Sequence, residues 1–133
     1  MAKLIGIDVG TKRIGVAKAD SIVPVATPLL TIEADGTEIE QLGKIITDEN
    51  AEIAVVGYPR NQSGDPTEQT EYSKQFAAKL ESFAKVVFQD ESLTSVLAEE
   101  RLKASKKPYS KGDIDALAAA IILQDYLEVN YGA

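Results

Sequence analysis

The sequence of 133 residues contains no cysteine, no histidine and no tryptophan. Without cysteine, a disulfide framework, a zinc finger and a thiolate nucleophile are all excluded. Without histidine, a Ser-His-Asp triad and an imidazole base or metal ligand are excluded as well. Any chemistry must therefore come from carboxylate, lysine, hydroxyl or backbone groups.

Long apolar runs are also missing. No stretch approaches the roughly 18 residues that span a bilayer, and only a few apolar residues separate Met1 from Asp8. The composition, 44% hydrophobic and 26% charged, is that of a soluble globular protein. We therefore expect an unprocessed cytoplasmic protein with a single domain over residues 1–133 and no membrane partner.

Positive charge is scarce, with 14 Lys and Arg against 21 Asp and Glu. This balance argues mildly against nonspecific adhesion to nucleic acid, because attraction to phosphate dominates such binding. The charge is unevenly distributed, however. Residues 101–112 hold five basic side chains and no acid, whereas residues 33–52 hold seven acids and one lysine. The molecule is therefore predicted to be electrically asymmetric.

Hydrophobic periodicity and turn residues predict an alternation of strands and helices. The predicted strands are 3–9 and 13–19, joined as a hairpin by Gly10-Thr11-Lys12, then 29–33, then 52–57 in the middle of the sheet, and a buried strand 85–89. The predicted helices are 37–49 with Thr37 as its cap, 67–83 after a loop over 59–66, 93–104, and 113–129 with Asp113 as its cap. A hairpin meander followed by strand-helix units predicts an α/β fold: a mixed sheet with later parallel strands and flanking helices.

Three acidic residues stand where such a sheet collects ligands. Asp8 is the one charged residue in the apolar run of residues 4–9, near the carboxyl end of its strand. Glu91 follows the strand 85–89 and should emerge at the same edge, because parallel strands end together. Asp115 lies in the first turn of the last helix, beside small alanines that permit close approach. We expect these three carboxylates to converge.

Each acid also has a simpler interpretation. Asp8 could accept backbone N–H groups across the Gly10-Thr11 turn. Glu91 could be a favourable charge in the first turn of the next helix, and Asp115 could serve the same role in the last helix. Support for a functional site therefore comes from the three acids together and not from any one of them alone.

A site of carboxylates without histidine or cysteine favours hard cations. Mg²⁺ and Mn²⁺ take oxygen ligands, retain waters and need only a few protein carboxylates. Crowded carboxylates would in turn require such a counter-charge. We expect metal binding to be weak in the absence of substrate phosphates.

Four segments together resemble a known family. They are Ile-Gly-Ile-Asp-Val-Gly-Thr-Lys-Arg-Ile-Gly-Val-Ala at 5–17, Val-Val-Gly-Tyr-Pro at 55–59, Asp-Glu-Ser-Leu-Thr at 90–94, and Ile-Asp-Ala-Leu-Ala-Ala-Ala-Ile-Ile-Leu-Gln at 114–124. Their order and spacing over nearly the whole chain resemble the YqgF family of RuvC-like nucleases. Two departures are Ser92, where the family usually carries Arg, and a loop after Pro59 that lacks the usual second glycine.

The resemblance implies a ribonuclease H-like fold and a metal-dependent nuclease. Members are described as Holliday junction resolvases and as nucleases that mature the 5′ end of pre-16S ribosomal RNA. Carried over by motif, Asp8, Glu91 and Asp115 are the implied catalytic residues and ligands of Mg²⁺ or Mn²⁺. The implied partner is nucleic acid, either a ribosomal RNA precursor or branched DNA, and a homodimer is one alternative for the assembly.

Basic residues near the same edge are candidates for holding phosphates that flank the cut. They are Lys12, Arg13, Arg60, Lys106, Lys107 and Lys111, and an ordinary solvated role is the alternative for each. Two other functions are left open. Asp8-Val-Gly-Thr11 also resembles the phosphate loop of actin-like ATPases, and the acidic balance favours a noncatalytic RNA-binding, ribosome-assembly module.

Overall fold

The computed structural model describes residues 2–59, 67–91 and 94–132. These residues form one five-stranded mixed sheet and four helices. The strands are β1 (Lys3–Val9), β2 (Arg13–Asp20), β3 (Thr27–Glu33), β4 (Ile53–Pro59) and β5 (Lys85–Glu91). The helices are α1 (Glu38–Asp48), α2 (Glu68–Ala78), α3 (Thr94–Ala104) and α4 (Lys111–Tyr131). The predicted α/β architecture is confirmed.

The sheet has the strand order β3-β2-β1-β4-β5. The first three strands form the predicted antiparallel meander, while β4 and β5 run parallel to β1. The predicted hairpin is confirmed, with Asp8 paired to Gly15 across it. Because β1, β4 and β5 run in the same direction, their carboxyl ends lie at a common edge of the sheet.

Helices cover both faces of the sheet. One face of β1 presents Ile5, Ile7 and Val9 to a core that includes Leu42 of α1 and Phe76 of α2. The opposite face presents Leu4 to a second core that contains Ala119, Leu123 and Leu127 of α4. Helix α3 packs on the outer side of α4, where Ala98 meets Ala118 and Ile121. Helix α4 is therefore buried between the sheet and α3, which explains its row of alanines.

Three local predictions were wrong. Helix α2 ends at Ala78 instead of Phe83, because the backbone N–H groups of Lys79, Leu80 and Glu81 bond three residues back and form tight turns. Strand β5 is an edge strand and not a buried one, and Phe88 is 42% exposed. Helix α4 begins at Lys111, so the cap is Ser110 and not Asp113.

The true cap of α4 is a reciprocal pair. The Ser110 hydroxyl accepts the backbone N–H of Asp113, and the Asp113 carboxylate accepts the backbone N–H of Ser110. The Thr31 hydroxyl also donates to the Gly112 carbonyl at 2.6 Å, which fixes the start of α4 to β3. None of the helices in residues 2–59, 67–91 and 94–132 is long and apolar enough to cross a membrane.

Candidate active site

The three predicted acids lie on the α4 side of the sheet, towards the carboxyl ends of the parallel strands. Asp8 is the penultimate residue of β1, and Glu91 is the last residue of β5. Because α4 begins at Lys111, Asp115 is in its second turn and not in its first. The elements thus bring the three residues to one region, although Asp115 is one turn further into its helix than the sequence predicted.

Two glycines make this approach possible. A Cβ on Gly15 would overlap the backbone carbonyl of Asp115, so only glycine lets α4 rest directly on β2 beside Asp8. A Cβ on Gly57 would stand 2.9 Å from the Cδ and Oε2 of Glu91. The missing side chain on β4 therefore leaves room for the Glu91 carboxyl to lie over the sheet between β5 and β1.

The electrostatics show that Asp8 is close to both other acids. Burial, together with the nearby charge of Asp115, raises the pKa of Asp8 from 3.8 to about 7. Burial, together with the charge of Asp8, raises the pKa of Glu91 from 4.5 to about 8. Asp8 is thus the central member of the group. No hydrogen bond stabilises its ionised form among the described residues, which does not support the interpretation of Asp8 as a turn acceptor.

Asp115 has a partner of its own. The Arg13 Nε donates to the Asp115 Oδ2 at 2.6 Å, and the two side chains are 30% and 19% exposed. This hydrogen bond and the accompanying charge raise the pKa of Arg13. In the part of the chain that the structure describes, no three acidic side chains are grouped closely enough to hold a metal ion. The predicted shared site is therefore present as neighbouring pairs, with Asp115 held by Arg13.

The alternative interpretations of Glu91 and Asp115 can also be compared with the structure. Glu91 is the last residue of β5, so it is not a first-turn charge of α3. Asp115 lies beyond the first turn of α4 and is bonded to Arg13 instead of to backbone N–H groups. Neither side chain is explained by helix-end electrostatics alone.

The predicted phosphate-binding residues are only partly brought together. Arg13 and Lys111 line the same groove as Asp115, a depression of about 380 Å³ between β2, α3 and α4. Lys106 and Lys107 are exposed in the connection between α3 and α4, and Lys12 is exposed in the β1–β2 turn. Arg60 lies outside the described residues, as do Ser92 and most of the predicted loop 59–66.

Sequence reasoning missed two residues that shape the edge. The Gln69 Nε2 of α2 donates to the Val9 carbonyl at 2.8 Å, immediately after Asp8. The Thr70 hydroxyl donates to the Pro59 carbonyl and also takes part in the capping box with Thr67. These bonds fix the start of α2 to the ends of β1 and β4. A strand glycine can signal close approach, which would have identified Gly15 and Gly57, but no local signal marks Gln69.

Comparison with known proteins decides the family. The sequence model of the RuvX family, described as a Holliday junction resolvase, matches residues 2–129. The chain belongs to the RuvX family. This is the YqgF family that the motifs resemble, so that prediction is confirmed, and the nuclease class that it implies is supported.

Curated relatives extend over nearly the same length. A RuvX relative from Chlorobaculum tepidum is 41% identical over 133 residues, which cover 95% of this chain and 93% of the relative. One from Sulfurihydrogenibium is 38% identical over 132 residues, covering 96% and 91%, respectively. One from Shewanella oneidensis is 38% identical over 135 residues, covering 97% and 96%. Each carries the name "Putative pre-16S rRNA nuclease".

Solved structures agree on the fold. Thermus thermophilus RuvC in complex with a Holliday junction substrate superposes with a TM-score of 0.57 at 15% identity, covering 99% of this chain and 97% of RuvC. The fowlpox virus resolvase, also solved with Holliday junction DNA, gives a TM-score of 0.50 at 18% identity, with coverage of 96% and 97%. The predicted ribonuclease H-like fold is thereby confirmed for this RuvX chain.

Proposed function

We propose that this RuvX protein is a metal-dependent endonuclease that hydrolyses phosphodiester bonds of structured nucleic acid, with maturation of the 5′ end of pre-16S ribosomal RNA as its primary role. One observation carries the proposal. Asp8 and Glu91 bury their carboxyls side by side at the carboxyl edge of the sheet, and each has its pKa raised by burial and by a neighbouring acid. Such an arrangement is costly for stability and is typical of catalytic sites.

The residues fit a hard divalent cation such as Mg²⁺ or Mn²⁺. The available donors are carboxylate oxygens, and the chain contains no histidine or cysteine that would favour a softer metal. A cation between Asp8 and Glu91 would offset the burial of the Glu91 carboxylate and the neighbouring charge of Asp8, which together raise the pKa of Glu91. Asp8, Glu91 and, after release from Arg13, Asp115 are the proposed ligands.

Each residue has a defined part in the reaction. A divalent cation held by these carboxylates would lower the pKa of water and neutralise charge that develops on the phosphate. Asp8 and Glu91 approach this position from the sheet, and Asp115 approaches it from α4. Gly15 allows α4 to approach β2, and Gly57 allows the Glu91 carboxyl to lie over β4. Since no histidine is present, proton transfer is left to water and carboxylates.

The basic residues are proposed to hold the substrate on either side of the cut. Arg13 and Lys111 flank Asp115 in the groove, where they can contact phosphates next to the scissile bond. Lys106 and Lys107, exposed in the α3–α4 connection, and Lys12, exposed in the β1–β2 turn, are proposed for the same role. Arg60 is proposed for the same role from the sequence alone.

Ribosomal RNA is preferred over branched DNA because the curated relatives are named for pre-16S rRNA. The family description and the RuvC superposition make junction resolution the second candidate. The oligomeric state of the protein on its substrate distinguishes RNA maturation from junction resolution. A junction presents symmetric cleavage sites that a homodimer would match, whereas a single RNA end needs only one active site. Sedimentation of the protein with each substrate tests which assembly forms.

The decisive experiment measures Mg²⁺-dependent cleavage of a pre-16S rRNA fragment and of a four-way DNA junction. Loss of a metal ligand removes several kcal/mol of transition-state stabilisation, so Asp8→Asn, Glu91→Gln and Asp115→Asn should each lower kcat by about a thousandfold. Asp125→Asn removes the same charge further along α4 and should retain activity within about twofold. Equal activity of the wild type and the three site variants would refute the proposal and favour a noncatalytic RNA-binding module.

A further inference from the structure

The Arg13–Asp115 ion pair joins the first residue of β2 to the second turn of α4, two positions 102 residues apart in the chain. The bond is short, at 2.6 Å, and both side chains are more than half buried. It uses only the Nε of the guanidinium, and Asp115 is the one acceptor that Arg13 contacts within the described residues. Arg13 lines the groove together with Lys111, which supplies a second positive charge, and with Glu99.

The ion pair engages Asp115, which is one of the three proposed metal ligands. Asp115 is close enough to Asp8 to repel its charge, yet its Oδ2 is engaged by Arg13. The described acids accordingly do not form a group of three that could hold a metal ion. The guanidinium thus supplies the positive charge that a divalent cation would otherwise bring to Asp115.

We propose that Arg13 is a positioning residue that holds Asp115 away from the metal site until a substrate phosphate binds the guanidinium. The inference rests on the proposed function of the site. On release, Asp115 turns towards Asp8 and Glu91 and completes the ligand set. Nucleic acid and metal therefore bind with positive cooperativity, and the nuclease is assembled only on its substrate.

The chemistry of the two partners makes this exchange feasible. A guanidinium presents five N–H donors in a planar fork that can bind phosphate in a bidentate manner. Asp115 uses only one of these donors, through a single hydrogen bond. A phosphate held jointly by Arg13 and Lys111 would therefore make more bonds than the carboxylate that it replaces. The groove of about 380 Å³ has room for such a group.

The test measures Mn²⁺ affinity by electron paramagnetic resonance, with and without a short RNA hairpin made resistant to cleavage by 2′-O-methyl riboses and phosphorothioate linkages. In the absence of the hairpin, Arg13→Gln should bind Mn²⁺ about tenfold more tightly than the wild type, because Asp115 is already free. With the hairpin bound, the Mn²⁺ affinities should become similar. The coupling between RNA and metal should therefore fall about tenfold in the variant.

Two controls separate this mechanism from simple electrostatics. Lys111→Gln removes the same charge from the same groove without breaking the ion pair, and should change Mn²⁺ affinity without RNA by less than about twofold. Arg13→Lys keeps the charge but loses the planar fork, so its coupling should lie between those of the wild type and Arg13→Gln. This variant also keeps the test informative if Arg13→Gln does not fold.

The opposite results would overturn the proposal. If Arg13 merely orients Asp115 as a ligand, Arg13→Gln will bind Mn²⁺ more weakly than the wild type. If charge alone matters, Lys111→Gln will gain as much affinity as Arg13→Gln. The failure of the proposed function has a different signature, because Asp8→Asn and Glu91→Gln would then leave Mn²⁺ affinity unchanged in both the presence and the absence of RNA.

Discussion

The two faces of β1 show how one strand serves two purposes. One face carries Ile5, Ile7 and Val9, at most 5% exposed, in the core against α1 and α2. The other face begins with buried Leu4, continues with Gly6 and ends with Asp8. The first face contributes hydrophobic stability along its whole length. The second gives up side-chain volume to admit α4 and ends in a carboxyl group whose burial is unfavourable.

The largest expected effect lies on the apolar face. Ile7→Ala should lower the free energy of unfolding by about 4 kcal/mol, because it opens a cavity in a core where Ile7 is fully buried. Urea unfolding provides the measurement. Since Ile7 points away from the acids, nuclease activity per folded molecule should change little below the melting temperature. A large loss of activity in folded protein would show that the two faces are not independent.

The close approach of α4 gives the next effect. Gly15→Ala should lower the free energy of unfolding by about 3 kcal/mol. The new Cβ would overlap the Asp115 carbonyl, and neither backbone can move without repacking. Gly112→Ala is the matched control. A Cβ there would meet only the side chains of Ser110 and Thr31, at ordinary contact distances of 3.6 Å or more. It should raise stability by about 0.5 kcal/mol, and comparable losses in both variants would contradict the packing argument.

Asp8→Asn should raise the free energy of unfolding, whereas Ile7→Ala should lower it. The Asp8 carboxyl keeps its proton to about pH 7 in the folded state but loses it near 4 in the unfolded state. Between these values the folded state binds more protons, so the stability of the wild type falls as pH rises and levels off above about 7. In the presence of a chelator, the free energy of unfolding of Asp8→Asn should therefore exceed that of the wild type by little near pH 4 and by up to about 4 kcal/mol near pH 8.

Denaturant titrations across this pH range provide the check. Glu91→Gln should show the same trend, with the loss of wild-type stability continuing to about pH 8 because the pKa of Glu91 is raised to that value. Glu100→Gln supplies a control on an exposed part of α3. A variant stability profile parallel to that of the wild type would show that burial of these acids carries no energetic cost.

The sequence predicts most of the fold because strand alternation, turn residues and helical spacing are local signals. The hairpin of β1 and β2, the parallel strand β4 and the long helix α4 all follow from such patterns. The prediction failed where neighbours decide the outcome. Strand β5 is apolar enough to be internal, yet the described sheet ends there, and Ser110 is preferred over Asp113 as the cap because the two form a reciprocal pair.

The site was predictable to a similar extent. Strand direction correctly places Asp8 and Glu91 at one edge, since parallel strands end together. Nothing local indicates that Arg13 reaches Asp115, because that bond depends on how closely α4 lies on β2. Gly15 controls that distance, and its role is visible only once the helix is in position. Tertiary contacts therefore determine whether the acids are paired or free.

Alternation along β1 has a genetic consequence. Ile7 and Asp8 are adjacent, and the two-residue repeat of a strand directs Ile7 to the core and Asp8 to the opposite face, where the metal site is proposed. Inserting or deleting one codon within this strand would exchange their directions. An isoleucine would then replace the carboxyl at the proposed site, and a charge would enter the apolar interior. Length changes in β1 should consequently be eliminated by two forms of selection at once.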